Sequence, residues 1–511
     1  MASTGEAAST RAGGLIAPVL AGFTALAIYL LQGFEAGLSR DPAVFLYGGE
    51  HAARGIPPYV AIFNSVGPLS DGVPAMIIWV GDRFGADPVL AVRISFAVIS
   101  AACGALVFAL ARAALRSTAA GVVAFGVFLT FGTFTALATG GPREKTAMVA
   151  FLVAALLCVL GRRWWWAGCF TALTTLIWQP ALAPAAVAAV VGILLTERAR
   201  LRAAGRYLLG GLVPSAVVVA YFAAQGALAE AVSGFIVFNV RDAQQPSMFD
   251  DGSRIWQMMW RGYHASLIVA LAGLLTLFVR GFLAARRRGS NLESPQATAR
   301  RVGLVVCSAA GAGAVGWTVL VVNGAPDLFV VLPFAALGAA ALVQVVTDRL
   351  SRRLRVIVSA VVCVAGIATG TAYSLGLHDH DLDHLDDQRV EVAALIGALP
   401  PGATVLSVNA PQVLVLSGRD NPTPYQIFSR SMHDHLDRTY PGGLAGYEHA
   451  VADLAPTAIA VGTQFDDAVV DELIHRDYVS VDVTPYWTWY VRRDVGEDAL
   501  ARIAEAVNPE N

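Results

Sequence analysis

Lysine is almost missing from this sequence, with Lys145 alone among 36 lysine and arginine residues. Charge of either sign is scarce, at 14% of 511 residues with a net of -2, which excludes the broad basic surface that nucleic acid requires. No nucleic-acid partner is expected. Cysteine is limited to Cys103, Cys158, Cys169, Cys307 and Cys363, all in apolar stretches, and their spacing fits neither a disulfide framework nor a zinc site. There is no tandem repeat with a period of roughly 20 to 50 residues and no low-complexity segment beyond a bias to Ala, Val and Leu. The first apolar run, 13–33, is too long for a signal-peptide core and lacks a convincing cleavage site, so it is expected to remain as an anchor. What the chain has in quantity is apolar sequence. At 56% hydrophobic residues and a mean hydropathy of +0.58 it reads as an integral membrane protein.

A spanning helix needs about 20 apolar residues to cross about 30 Å of hydrocarbon. That measure predicts about eleven spans, at 13–33, 88–111, 118–138, 145–160, 164–179, 181–196, 206–224, 263–284, 301–322, 328–346 and 355–376. Gln179-Pro180 divides one overlong run, because proline interrupts a helix. Asn323, Gly324, Pro326 and Asp327 divide another. Arginine placement sets the orientation, since cytoplasmic loops are enriched in basic residues. With the N-terminus cytoplasmic, the clusters around Arg112, Arg162, Arg200, Arg287 and Arg352 all fall on the cytoplasmic side of the plasma membrane. That agreement requires 69–79, which is short and carries Asp71 and Pro74, to lie along the outer interface rather than span. The segments 34–87, 139–144, 225–262 and everything after about 377 are then extracytoplasmic.

From His378 onward the apolar runs shorten to strand length: ATVLSV, QVLVL, TAIAVG, YVSVDV and WTWYV, alternating with helical stretches near 385–398, 443–454 and 466–475. This alternation predicts a small α/β domain with a partly parallel sheet. The expected organisation is a transmembrane domain over 1–376, with a long first outer loop at 34–87, followed by an extracytoplasmic α/β domain over 377–511.

Ionisable residues beside a membrane mark function. They gather between Phe34 and Pro68, where Glu35, Arg40, Asp41, Glu50, His51 and Arg54 lie within one outer loop, together with the polar Asn64. Asp41 precedes Pro42 and is placed to cap a short helix. At the outer end of a helical bundle the same carboxylate can accept a proton from a bound hydroxyl. His51 and Arg54 fall about one helical turn apart, and Pro57-Pro58-Tyr59 ends the helix.

The order Asp41, Phe45, Tyr47, Arg54-Gly55, Pro58-Tyr59, Pro68-Leu69 and then Arg93 resembles the first external loop of GT-C-fold glycosyltransferases. These are polyprenyl-phosphate-sugar-dependent membrane enzymes related to protein mannosyltransferases and lipid A aminoarabinose transferases. The resemblance is most specific over 40–69 and extends weakly to the whole chain. It implies a glycosyltransferase that moves a sugar, mannose or pentose-like, from a lipid phosphate to an extracytoplasmic glycan, lipid or protein acceptor in the cell envelope. The acid of this loop is the base in that family, which by position is Asp41. The chain departs from the usual pattern in having Arg40-Asp41 rather than two adjacent acids. It also has Asn64-Ser65-Val66-Gly67 where an Asp and a Lys or His often precede the proline. A divalent metal is left open, and no other cofactor is implied. The Ala, Val, Gly and Arg bias suggests a GC-rich genome, and similar proteins of actinobacterial type use decaprenyl-phosphate mannose or arabinofuranose.

The second outer loop supports this reading separately. Arg143 and Lys145 sit outside, against the charge rule, and a departing phosphate needs such cations where negative charge develops. Arg143, Lys145, Arg54 and Arg93 are therefore the candidates for the donor phosphate, with a snorkelling Arg-Glu-Lys cluster as the plain alternative. Candidates for sugar or acceptor contacts are Arg40, Glu50, His51, Tyr59, Asn64, Glu144, Gln179, Asn239 and Arg241. Gln179 and the Asn323/Asp327 corner also suit helix capping. The stretch HDHDLDHLDD at 378–387 and the group His433, Asp434, His435 have loose metal spacing and equally suit a solvated linker. Tyr486, Trp487, Trp489 and Tyr490 suit either sugar stacking or sheet packing. A transporter or lipid-linked-sugar flippase is the rival class, but its ionisable groups would gather at the bilayer midplane. A non-catalytic assembly scaffold is the third.

Overall fold

The computed structural model describes residues 3–243, 248–287, 294–380, 384–463 and 468–507. Each of the eleven apolar stretches contains helix. Among the described residues, six helices are long and apolar enough to cross a membrane by length and composition. They are Pro88–Leu115, Gln179–Thr196, Arg200–Ala224, Ala265–Arg286, Pro295–Leu320 and Arg352–His378. Ile16–Leu30, Thr118–Phe128 and Leu332–Thr347 are shorter and also apolar.

Small residues let these helices approach closely. A Cβ on Gly168 would stand 1.9 Å from the Tyr207 carbonyl oxygen, and one on Gly210 would stand 2.0 Å from that of Trp165. These contacts hold Trp164–Ile177 against Arg200–Ala224. Both predicted corners form: Gln179–Ala181 is a single 3-10 turn, and Ala325–Val330 is a 3-10 helix of six residues.

The first outer loop folds into two helices, Arg40–Ala53 and Leu69–Gly81. The second is 13 residues long, about 20 Å at 1.5 Å per residue, which is too short to cross a bilayer. It buries Asp71, Pro74 and Ile78 while exposing Met76, Trp79 and Val80. Asp41 does not cap the first helix. Ser39 occupies the N-cap position with no side-chain cap bond, and Asp41 lies in the first turn, leaving its carboxylate free to face the arginines described below.

Near the C-terminus, β1 (Val405–Val408), β2 (Ala458–Gly462), β3 (Tyr478–Val483) and β4 (Trp487–Arg492) form one sheet in the order β1-β2-β4-β3. The β1/β2 pair is parallel, with Val405 opposite Ala458, and the other pairs are antiparallel. The segment containing QVLVL is not a strand; it is the helix Pro411–Ser417. Its residues are buried from Pro411 to Val415, and a short, uniformly apolar run carries no period that separates strand from buried helix. Pro411 at the first turn and Gly418 in a left-handed C-cap fix the outcome. Trp487 and Trp489 are fully buried, and Trp487 Nε1 donates to Glu391 Oε1 at 2.8 Å, so these aromatics pack the sheet.

The sheet layer is fused to the first outer loop by shared cores. Leu46, Tyr47, Ile62 and Phe96 pack with Val392, Leu414 and Trp489, while Phe63 and Phe238 pack with Phe428, Met432 and Leu436. The amide of Phe63 donates to the Pro424 carbonyl at 2.8 Å.

Candidate active site

The first turn of Arg40–Ala53, the start of Glu144–Leu160, the Gln179 turn and the Asn323 to Asp327 corner all border one cavity of about 1140 Å³. The loop 63–66, the segment Ser233–Asp242 and residues Ile427 to Met432 complete the wall. Ser233–Asp242 is wound as a π-helix, a form that often marks functional sites. Gly67 lets the loop lie on the end of Trp164–Ile177, since a Cβ there would meet the Leu176 carbonyl oxygen at 2.0 Å. The Ser65 carbonyl accepts from Gln179 Nε2 at 3.0 Å and Asn239 Nδ2 at 2.6 Å, tying three wall elements together.

Asp41 is at the centre of the charged wall. Its Oδ2 lies 2.5 Å from Arg143 Nη1, and its Oδ1 accepts from Arg40 Nη2 at 3.1 Å. Burial in the cavity wall pushes this carboxyl up, but the guanidinium groups of Arg143 and Arg40 outweigh that and hold it at about 2. The side chain is still 42% exposed, so a bound molecule can reach it. Glu144, by contrast, is 4% exposed. Its Oε1 pairs with Lys145 Nζ at 2.8 Å, and Lys145 Nζ also lies 3.0 Å from Asp327 Oδ1. Among the described residues the cavity thus presents one accessible carboxylate, Asp41, with the cations Arg40, Arg143, Lys145 and Arg430, of which Arg143 and Lys145 are 14% and 11% exposed.

A second, apolar groove of about 640 Å³ runs from this cavity along Trp164–Ile177 and Arg200–Ala224. Thr175, Leu182, Phe235 and Ile236 line both spaces, so the two adjoin. Elsewhere the groove wall is almost wholly aliphatic and aromatic, with Leu208, Leu212, Val219 and Phe222.

Eight of the residues singled out from the sequence meet at the cavity: Arg40, Asp41, Asn64, Arg143, Glu144, Lys145, Gln179 and Asn239. Six do not. Arg93 is fully buried and donates to the carbonyls of Phe34 at 2.5 Å and Gly37 at 3.2 Å, so its charge is committed to holding the loop entrance. Arg54 lies away from the cavity, near Asp420 at 3.7 Å and Glu50 at 3.9 Å. Burial lifts the Glu50 carboxyl to about 7, against the pull of Arg54. His51 bridges the Tyr47 carbonyl and Asp420, each at 2.9 Å. Tyr59 is buried with its hydroxyl on the Val66 carbonyl at 2.7 Å and faces the apolar groove instead. Arg241 is exposed outside the cavity.

Among the described residues no His, Cys, Asp and Glu cluster could hold a metal ion. Residues 381–383 of the 378–387 stretch lie outside the described residues. His435 is instead paired with the buried Asp242, Nδ1 to Oδ2 at 2.5 Å, and Arg438 holds the other carboxylate oxygen. Asp327 appeared from sequence only as a corner residue; its approach to Lys145 depends on a fold that brings residues far apart in the chain together. Ser429, Arg430 and Ser431, also on the cavity wall, carried no signal at all.

No protein-family model matches the sequence, and neither does any curated protein. Solved structures match its fold. ArnT from Cupriavidus metallidurans in the apo state aligns with a TM-score of 0.62 at 13% identity, over 98% of this chain and 100% of that one. ArnT of the same organism bound to undecaprenyl phosphate aligns with a TM-score of 0.59 at 12% identity, over 96% of this chain and 98% of that one. The chain is therefore a multi-pass membrane protein with the GT-C-like fold of ArnT, the fold class that its first outer loop resembles.

Proposed function

We propose that this protein is a membrane glycosyltransferase that takes a sugar from a polyprenyl-phosphate donor and passes it, with inversion, to an extracytoplasmic acceptor. The observation that carries this reading is the adjacency of a charged cavity, holding Asp41, Arg143 and Lys145, to an apolar groove with which it shares four lining residues. A molecule with a long apolar chain, a phosphate and a sugar fits such a pair of spaces, with its chain in the groove and its phosphate against the cations. The likeness to a structure of ArnT bound to undecaprenyl phosphate supports the same donor class. The arginine distribution favours the plasma membrane, with a cytoplasmic N-terminus and the α/β domain outside.

In the proposed reaction the acceptor oxygen attacks the anomeric carbon as the bond from that carbon to the phosphate oxygen breaks. Asp41 takes the acceptor proton, and the electron pair of the broken bond leaves with the lipid phosphate, which Arg143 and Lys145 stabilise. Arg143 links the two halves. Its Nη1 holds Asp41, while its Nε is buried without a hydrogen bond, 3.8 Å from Glu144 Oε2. A phosphate that draws this guanidinium toward itself weakens its hold on Asp41, and the carboxylate becomes a better base when the donor is in place. The cavity is large enough for a sugar and part of an acceptor together.

The test is transfer of radiolabel from a panel of polyprenyl-phosphate sugars, mannose and pentoses included, to membrane acceptors by purified protein. Wild type is expected to transfer from at least one donor, and Asp41→Asn to lose transfer by at least about 100-fold while still folding. Equal transfer by both proteins would remove Asp41 from the chemistry.

A further inference from the structure

The single lysine has an unusual setting. Its ammonium carries three N–H donors. Glu144 Oε1 lies within reach of one, at 2.8 Å, and Asp327 Oδ1 of another, at 3.0 Å. Among the described residues no oxygen is shown accepting from the third, the Trp178 ring lies 5.3 Å from Nζ, and both residues line the cavity. The two carboxylates differ in what they can do. Glu144 belongs to the same helical turn as Lys145 and moves with it. Asp327 comes from the corner after Pro295–Leu320, so it alone ties Nζ to a different part of the fold.

Asp327 is itself held firmly. Its Oδ2 accepts the amides of Asn323 at 2.6 Å and Gly324 at 3.0 Å, leaving Oδ1 for the lysine. The corner is anchored in turn by the Tyr263 hydroxyl, which donates to the Ala325 carbonyl at 2.8 Å. Burial raises the Asp327 carboxyl, and Lys145 with the two backbone amides outweighs this and keeps it below the ordinary carboxylate value. A charged carboxylate with one oxygen fixed by backbone and the other on an ammonium leaves that ammonium little angular freedom.

We propose that Asp327 is a positioning residue that aims the third N–H of Lys145 at the phosphate of the lipid-linked donor. This rests on the functional reading above. Asp327 touches no substrate; it acts through the lysine. In Asp327→Asn the side-chain oxygen can still accept from Asn323 and Gly324, so the corner survives, but an amide NH₂ then faces Nζ and turns it away. Displacing a group in this way by about 1 Å costs about 100-fold in rate. The substitution also removes a negative charge beside the phosphate site, so donor binding should not weaken.

The experiment measures kcat and donor KM for sugar transfer in wild type, Asp327→Asn, Lys145→Gln and the double variant, together with binding of polyprenyl phosphate alone. Asp327→Asn is expected to lower kcat by about 100-fold with donor KM no higher than wild type. The double variant should transfer as slowly as Lys145→Gln and no slower, because a residue acting through the lysine has nothing to act on once it is gone. Multiplying losses in the double variant, or a raised KM with kcat unchanged, would overturn the proposal. Should Asp327→Asn fail to fold, Lys145→Gln against the charge-neutral double variant decides it by the same criterion. Wild type that neither binds polyprenyl phosphate nor transfers sugar overturns the functional reading, and this proposal with it, without reference to any variant.

Discussion

Asp71 is the buried carboxyl whose charge state the fold most plainly resists. It is wholly buried in Leu69–Gly81, packed so closely on Arg40–Ala53 that a Cβ on Gly48 would stand 2.7 Å from its Cγ. Asn64 Nδ2 donates to its Oδ2 at 3.2 Å, and no cation pairs with it among the described residues. Burial therefore pushes its pKa from 3.8 up to about 8, with the Asn64 bond opposing. The sign follows from proton counting. Between these two values the unfolded chain has released a proton that the folded chain keeps, so stability falls as pH rises from about 4 to about 8. The gap corresponds to about 6 kcal/mol if nothing relaxes. Water entry and movement of Asn64 return part of that, and we expect about 2 kcal/mol to be recoverable. Asp71→Asn mimics the neutral acid and can still accept from Asn64. In detergent, the thermal midpoint of wild type should fall as pH rises from about 4 towards 8 while that of Asp71→Asn stays level, with the two meeting near pH 4. Parallel pH curves, or a variant less stable than wild type at pH 8, would refute the reasoning.

Two further perturbations probe the groove and the domain contact. Gly168→Val places atoms where the Tyr207 carbonyl stands, and overpacking of this kind costs about 1–3 kcal/mol. It should separate Trp164–Ile177 from Arg200–Ala224, lower the thermal midpoint and weaken binding of polyprenyl phosphate. Unchanged lipid binding would detach the groove from the donor. His435→Ala leaves Asp242, 2% exposed, with Arg438 as its ion-pair partner among the described residues and removes the ring stacked 4.9 Å from Phe63. Losing one partner of a buried charge costs about 3 kcal/mol, so limited proteolysis should cut the 385–507 region sooner than in wild type.

The helical stretches were legible because twenty apolar residues between arginines leave few other solutions. Both corners were legible because Pro180 and Pro326 stand where an overlong run has to turn. The sheet was legible in its strands but not in Pro411–Ser417, where burial on every side removes the alternation that distinguishes the two structures. The fusion of the sheet layer with the first outer loop had no sequence signal. Its contacts, such as Tyr47 hydroxyl accepting from the Asn421 amide at 2.8 Å, join residues hundreds of positions apart.

Arginines show where sequence reasoning about the site stops. Arg93 and Arg143 both lie near the outer ends of apolar helices, Arg93 flanked by apolar residues and Arg143 beside Glu144 and Lys145, and both were candidates for the donor phosphate. The difference is in what the fold supplies opposite each one. Arg93 meets backbone carbonyls at Phe34 and Gly37 and is fully buried, which leaves it no route to solvent. Arg143 meets Asp41, a carboxylate that is itself 42% exposed, so the pair opens onto the cavity and can exchange partners when an anion arrives. Lys145 also meets carboxylates, Glu144 and Asp327, which are buried and hold it in place while it lines the cavity. A cation whose partners are carboxylates in an open cavity keeps a charge to offer, whereas a cation closed in by carbonyls has become part of the scaffold. That distinction depends on contacts between distant segments, so the outer loops could mark the region of the site while the fold was needed to sort its members.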